Sequence, residues 1–384
     1  LPAVLDEARM LALEHRATLV CIDGISTLKS AAPSPLDFRR FIFDLNAHLR
    51  SLGATTIMLG PWVEWEASEP ELAVAEGIMT TGLVTGDRRA ERYLEVMKLR
   101  GSGYLTGRHS MVIGDDGITL FPRLETTLVA EGIAQPPAVW TRVGTGSDGL
   151  DQMLRGGLPS GSVTLVGGVA GAGKTVMGLS FLADGLVHGE RGVYVGLDEA
   201  PSRLLTKAES LGLHLRQGAE DGTLSIHWVP SLELIPDRVV WQILDLVDQL
   251  EAKRLVIDGL DGILSGMAGS PRAKSLVTAL MTALRARGVT TIATHDLPRA
   301  TGLAADESYE RLGAAMDNVV TLQYVELRSE LHRLISILKV RESDFDPSIR
   351  EFTISEGGLR VADTFGSAEA VLTGIGHWRG RRAQ

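Results

Sequence analysis

The chain carries one pattern twice, and that repeat limits its architecture more than any other feature. Thr18-Leu19-Val20-Cys21-Ile22-Asp23-Gly24 resembles Arg254-Leu255-Val256-Ile257-Asp258-Gly259, with Asp23 and Asp258 235 positions apart. Leu49–Ile57 resembles Leu284–Ile292 at the same offset. The offset then grows to 241: Met97-Lys98-Leu99-Arg100 matches Leu338-Lys339-Val340-Arg341, and Ile113–Gly117 matches Ile354–Gly358. In each copy a short apolar, β-branched run (Leu19–Ile22, Leu255–Ile257) predicts a buried parallel strand, in which Cys21 would be inert packing. An amphipathic helix follows (Phe38–Leu52, Leu276–Arg287), closed by Gly53 or Gly288, and then a second buried strand (Thr55–Leu59, Thr290–Thr294). The tails alternate instead: Arg92–Leu99 and His332–Lys339 read as strands, with hairpin partners near Gly117 and Gly358. The expected fold is α/β, a mostly parallel sheet with an antiparallel extension. Residues 1–125 and 143–363 are the two expected domains. A linker at 126–142 around Pro136-Pro137 separates them, and a tail occupies 364–384.

Composition narrows the class. The 384 residues carry a net charge of −10 and are 44 % hydrophobic and 22 % charged, as in a globular chain. An acidic balance argues against a nucleic-acid-coating protein, so DNA is not an expected partner. One cysteine excludes an internal disulfide framework and a Cys-rich zinc site. No apolar run nears the roughly 18 residues that would span a bilayer, and no signal segment leads the chain, so the expectation is a cytoplasmic protein without a membrane partner. Lysine is scarce: seven of the 38 basic residues, namely Lys29, Lys98, Lys174, Lys207, Lys253, Lys274 and Lys339. Positions that keep a compact point charge where arginine is otherwise used are candidates for chemistry.

The strongest motif is Gly168-Val169-Ala170-Gly171-Ala172-Gly173-Lys174-Thr175, a P-loop. A buried strand, Ser162–Val166, precedes it, and a helix over Val176–Leu186 follows, as phosphate binding requires. Glycines let successive N–H groups converge on phosphate, and the helix N-terminus adds positive potential. Lys174 would reach the β- and γ-phosphates of ATP or ADP, and Thr175 would offer its hydroxyl to Mg²⁺. Asp258, ending the strand Arg254–Ile257, is the expected metal carboxylate. Asp198 and Glu199 follow the strand Gly192–Leu197 at its C-terminal end, where ligands gather in such sheets. Glu199 is the expected general base, with Asp198 assisting it or the metal; capping of the helix at Pro201–Leu211 is the competing reading. His295 stands near the expected γ-phosphate, although a structural histidine is the stronger reading. Trp62 and Trp65 read as packing residues. The lysine equivalent to Lys174 in the first copy would fall before residue 1. The first domain is thus expected to be truncated, with some ninety residues absent ahead of Leu1.

Thr145–Asp151, Gly156–Gly161, the P-loop, the Asp198-Glu199 pair, Leu322-Gln323-Tyr324-Val325-Glu326 and Arg350-Glu351-Phe352 together resemble the KaiC-like ATPases of the RecA superfamily. Lys98–Gly101 and Gly117–Pro122 carry the resemblance into the first copy. It implies tandem RecA-like P-loop NTPase domains, a homo-oligomeric, hexameric ring, and slow ATP hydrolysis at subunit interfaces as a conformational or signalling switch. It also implies that Lys339 and Arg341 reach the nucleotide bound at Lys174 of the adjacent subunit, with Lys98 and Arg100 doing likewise in the first ring. A KaiB-like or other signalling protein is the implied partner. Two departures stand out. Gly313 and Ala314 occupy the place of the family's phosphorylated serine–threonine pair, which argues against an autokinase, and Tyr104 replaces a histidine near the first ring's nucleotide. A recombinase-like DNA-dependent ATPase is the remaining alternative, and the acidic balance argues against it.

Overall fold

The structure, a computed structural model, describes residues 1–61, 70–85, 90–132, 141–230, 234–267, 270–297, 312–327, 329–341, 343–362, 368–370 and 376–378. Trp62, Trp65 and the basic end of the tail lie outside these residues. The chain forms two compact units, Leu1–Ile118 and Thr119–Gln384.

The first unit runs α1 (Pro2–Glu14), β1 (Leu19–Asp23), α2 (Ile25–Ser30), α3 (Pro35–Ser51), β2 (Thr55–Leu59), α4 (Pro70–Val74), β3 (Gly77–Thr85), β4 (Ala90–Leu99) and β5 (Arg108–Gly114), with β6 (Gly117–Phe121) at its end. α3 starts where Ser34 Oγ accepts the Asp37 N–H at 3.2 Å, and it stops before Gly53, whose φ of +75° suits only glycine well. Its buried face is Phe38, Phe41, Ile42, Leu45 and Leu49, joined by Ala12 of α1. β1 and β2 pair parallel, in register Asp23 with Leu59. The expectation that these strands are fully buried does not hold: exposed and half-buried positions alternate along both, and Cys21 is exposed rather than packed. Helices cover one face of this two-stranded sheet, and the other face lies open in the described chain. β3, β4 and β5 pair antiparallel, and β6 completes a four-stranded sheet.

The second unit follows the expected plan. Its elements are α5 (Leu124–Glu131), β7 (Arg142–Val143), α6 (Asp148–Met153), β8 (Leu158–Pro159), β9 (Val163–Gly168), α7 (Lys174–Val187), β10 (Gly192–Gly196), α8 (Pro201–Ser210), α9 (Leu215–Asp221) and β11 (Leu224–Trp228). They continue with α10 (Pro236–Leu250), β12 (Arg254–Asp258), α11 (Leu260–Ser265), α12 (Arg272–Ala286), β13 (Thr290–Asp296), β14 (Asn318–Leu327), β15 (Glu330–Val340), β16 (Arg350–Ser355) and β17 (Gly358–Val361). One nine-stranded sheet runs β11-β10-β12-β13-β9-β14-β15-β16-β17. β11 through β14 are parallel, and β14 to β17 are antiparallel. Two apolar clusters sandwich the sheet: residues of α10, α12 and α5 on one side, and of α6, α7, α8 and α9 on the other. β9 and β10 are buried along their whole length because both faces are covered.

The expected linker, 126–142, begins inside α5. Leu124 is buried, Glu125 pairs with Arg272 of α12 at 2.7 Å, and the Trp241 indole donates to the Pro122 carbonyl at 2.7 Å. Within the expected tail, β18 (Ala368–Ala370) and β19 (Gly376–Trp378) form a small antiparallel pair. Arg254 is the main buried cation. Its guanidinium meets Glu190 at 2.5 Å, Asp184 at 2.9 Å and the Gly144 carbonyl at 2.8 Å, and lies over the Phe181 ring. Among the described residues no helix is long and apolar enough to cross a membrane.

The repeat extends to an irregularity. In the second unit the β14–β15 register slips between Val319 and Val320, so Leu338 is unpaired and Lys339 faces Val319. In the first unit the β3–β4 register slips between Ile78 and Met79, so Met97 is unpaired and Lys98 faces Ile78. Both bulges precede the lysine of the Lys-x-Arg segment, where an extra residue re-aims the side chains that follow.

Candidate active site

The parallel strands of the second unit end at one edge, and the register aligns their last residues there. Gly196 stands opposite Asp258, and Asp296 opposite Gly168. The loop from β9 into α7 turns through Gly171 (φ +79°) and Gly173 (φ +115°), values that disfavour a side chain. Gly173 is the N-cap of α7, so the first free N–H groups of that helix belong to the loop. Tyr324 of β14 braces it by donating to the Gly171 carbonyl at 2.7 Å.

Lys174 donates to the carbonyls of Gly168 (2.8 Å) and Val169 (3.1 Å), and its ammonium pairs with Asp296 Oδ1 at 2.6 Å. Thr175 Oγ1 donates to Asp258 Oδ2 at 2.8 Å. Asp258 accepts two further hydroxyls: Thr294 on Oδ1 at 2.6 Å and Tyr194 on Oδ2 at 2.5 Å. Burial, followed by the charge of Asp258, raises the Tyr194 phenol well above its ordinary range, so it remains a donor. Asp198, at the mouth, has its carboxyl raised above the usual value by burial first, and then by the charges of Asp258, Asp296 and Asp261. Glu199 is half-buried and ion-paired to Lys207 at 2.5 Å. Neither acid caps α8, whose N-cap is Ala200 without a side-chain bond; the capping reading therefore fails.

Lys174, Thr175, Asp198, Glu199, Asp258 and Asp296 line one cleft of about 190 Å³, together with Ala170 and Gly171. The sequence points to five of those six side chains and misses Asp296, together with Tyr194 and Thr294, which line the same cleft. His295 is buried, with Nδ1 2.6 Å from Asp261 Oδ1, as a structural histidine would be. Asp261 Oδ2 also accepts the Asp296 N–H at 2.8 Å, so this acid fixes the segment that carries Asp296.

Lys339, Arg341, Lys98 and Arg100 do not line that cleft. The Lys339 ammonium donates to the carbonyls of Gly313 (3.0 Å) and Met316 (2.7 Å), at the end of the helical turn 312–315. Arg341 pairs with Asp317 at 3.1 Å, and Asp317 also takes Arg285 at 2.7 Å and the Val163 N–H at 3.0 Å. Burial and then the adjacent Arg341 lower the Lys339 ammonium below its ordinary value. In the first unit Lys98 donates to the Leu72 carbonyl (3.0 Å) and Arg100 to that of Ala73 (3.1 Å), again at a short helix. Gly313 and Ala314 sit in the helical turn and offer no hydroxyl, whereas Ser308 and Tyr309 lie outside the described residues.

The family model of the KaiC ATPase matches residues 2–125 and 143–364, nearly the whole chain. The chain belongs to the KaiC family of ATPases. Both matched stretches follow the internal repeat, and the interval between them falls on the proline-rich segment. Among its relatives is the circadian clock oscillator protein KaiC of Picosynechococcus sp., 28 % identical over 382 residues, which cover 97 % of this chain and 72 % of that protein. The protein of the same description from Synechococcus elongatus is 28 % identical, with 97 % and 71 % covered. Membership in the KaiC family carries nucleotide binding and ATPase activity as the general function.

Proposed function

We propose that the second unit binds Mg²⁺-ATP at the β9–α7 loop and hydrolyses it slowly, as a conformational or signalling switch within a ring of identical subunits. The reading is carried by the convergence of Lys174, Thr175, Asp258 and Glu199 on one cleft at the C-terminal edge of a parallel sheet. Residues 168–175 would cradle the phosphates, with Lys174 exchanging its Asp296 partner for phosphate oxygens. Thr175 Oγ1 and Asp258 are hard oxygen donors 2.8 Å apart, a set that suits Mg²⁺ shared with phosphates and water. Bound there, the ion would neutralise charge developing on the phosphates. Tyr194 and Thr294 hold the Asp258 carboxylate in place from either side. Glu199 would orient the attacking water and take its proton, and Asp198 would act as a lesser electrostatic partner.

In a ring, Lys339 and Arg341 would approach a neighbour's nucleotide after leaving the Gly313, Met316 and Asp317 contacts that hold them, and Lys98 and Arg100 would do so in the first tier. A KaiB-like or other signalling protein would read the state of the ring. The test pairs two measurements on the full chain. Lys174→Ala should lose ATP binding by calorimetry. Wild type should shift to a hexamer by native mass spectrometry when Mg²⁺-ATP is added. Wild-type affinity in Lys174→Ala would overturn the site, and a monomer with ATP bound would overturn the ring.

A further inference from the structure

Lys207 is a scarce lysine that the proposed chemistry leaves unused. It lies on the last turn of α8, a helix fixed by buried Leu204 and Ala208, and its ammonium is 2.5 Å from Glu199 Oε2. Glu199 precedes α8, so this is no ordinary pair between successive turns of one helix. It ties the β10–α8 turn back onto the helix. Glu199 lines the cleft and Lys207 does not. Its link to the cleft is the contact with Glu199.

We propose that Lys207 is a positioning residue that restrains Glu199 and keeps hydrolysis slow; the inference rests on the role proposed for Glu199 above. One carboxylate oxygen is committed to the Lys207 ammonium and cannot turn to water while the pair holds. Turnover requires the pair to loosen. The side chains retain 38 % and 24 % exposure, so the contact is within reach of solvent and salt and can open without unfolding the helix.

The experiment measures steady-state Mg²⁺-ATP hydrolysis and nucleotide affinity for wild type, Lys207→Gln, Lys207→Arg, and Lys207→Gln in a Glu199→Gln background. A partly exposed ion pair supports a rise in kcat of about two- to fivefold in Lys207→Gln, with nucleotide affinity unchanged. Lys207→Arg should stay near wild type, and the double variant should equal Glu199→Gln, as coupling through one residue demands. Added salt should raise kcat in wild type more than in Lys207→Gln, and the wild-type salt profile remains a test even if a variant folds poorly. Unchanged or lower kcat in a folded Lys207→Gln would overturn the restraint, as would an equal effect of Lys207→Gln in the Glu199→Gln background. Failure of the underlying reading looks different: Glu199→Gln itself would hydrolyse ATP at the wild-type rate.

Discussion

Replacing Tyr194 with phenylalanine isolates one contact at the centre of the site. The ring is 1 % exposed and would keep its packing; only the hydroxyl that donates to Asp258 Oδ2 disappears. A hydrogen bond to a charged group contributes about 1.5–3 kcal/mol. Asp258 keeps Thr175 and Thr294, so the lower end applies: about 1.5 kcal/mol, or roughly 3–6 °C in melting temperature for a unit of this size. The effect has a pH signature. The phenol is raised in the folded state above its ordinary value of 10.0. Its stabilisation is therefore whole below pH about 10 and is lost as pH rises beyond it, by about 1.4 kcal/mol per unit. Urea unfolding of wild type and Tyr194→Phe from pH 8 to pH 11 should show a gap of about 1.5 kcal/mol at the lower pH that closes above pH 10. Equal stabilities at pH 8, or a gap constant to pH 11, would refute the buried Tyr194–Asp258 bond.

Other consequences follow from the same geometry. Asp296→Asn removes the carboxylate that holds Lys174 and competes with phosphate; nucleotide affinity measured by calorimetry should rise by about fivefold, consistent with a partly exposed pair. Arg254→Met leaves Asp184 and Glu190 without their buried cation and should cost about 3–5 kcal/mol in chemical unfolding. Asp198→Asn should lower kcat several-fold less than Glu199→Gln, because Asp198 is the exposed, crowded acid at the mouth; equal losses in steady-state assays would contradict the division of roles.

How much of this was legible depends on whether the signal is local. The repeat, the P-loop and the parallel-then-antiparallel sheet were readable because spacing alone carries them. Even the equivalence of Lys98 and Lys339 was readable, since the change of offset left the segment intact; the bulge beside each lysine was not, because a register slip needs the partner strand. Tyr194 escaped notice in a run that reads only as a buried strand, since its partner lies on the adjacent strand, β12. Asp296 escaped because it ends a strand already marked for His295, and the pairing with Lys174 depends on Asp296 standing opposite Gly168. Cys21 was misread because its apolar strand looked like one covered on both faces, whereas β1 is covered on one. Lysine scarcity pointed to Lys207, but only its distance to Glu199 gives that lysine a role.

Hydrolysis by Glu199→Gln, measured alongside ATP binding by the same protein, bears most directly on the central claim. The account predicts retained nucleotide binding with hydrolysis reduced by about 100-fold or more, the usual contribution of a positioned base. A Glu199→Gln protein that binds ATP and turns it over at the wild-type rate would contradict it.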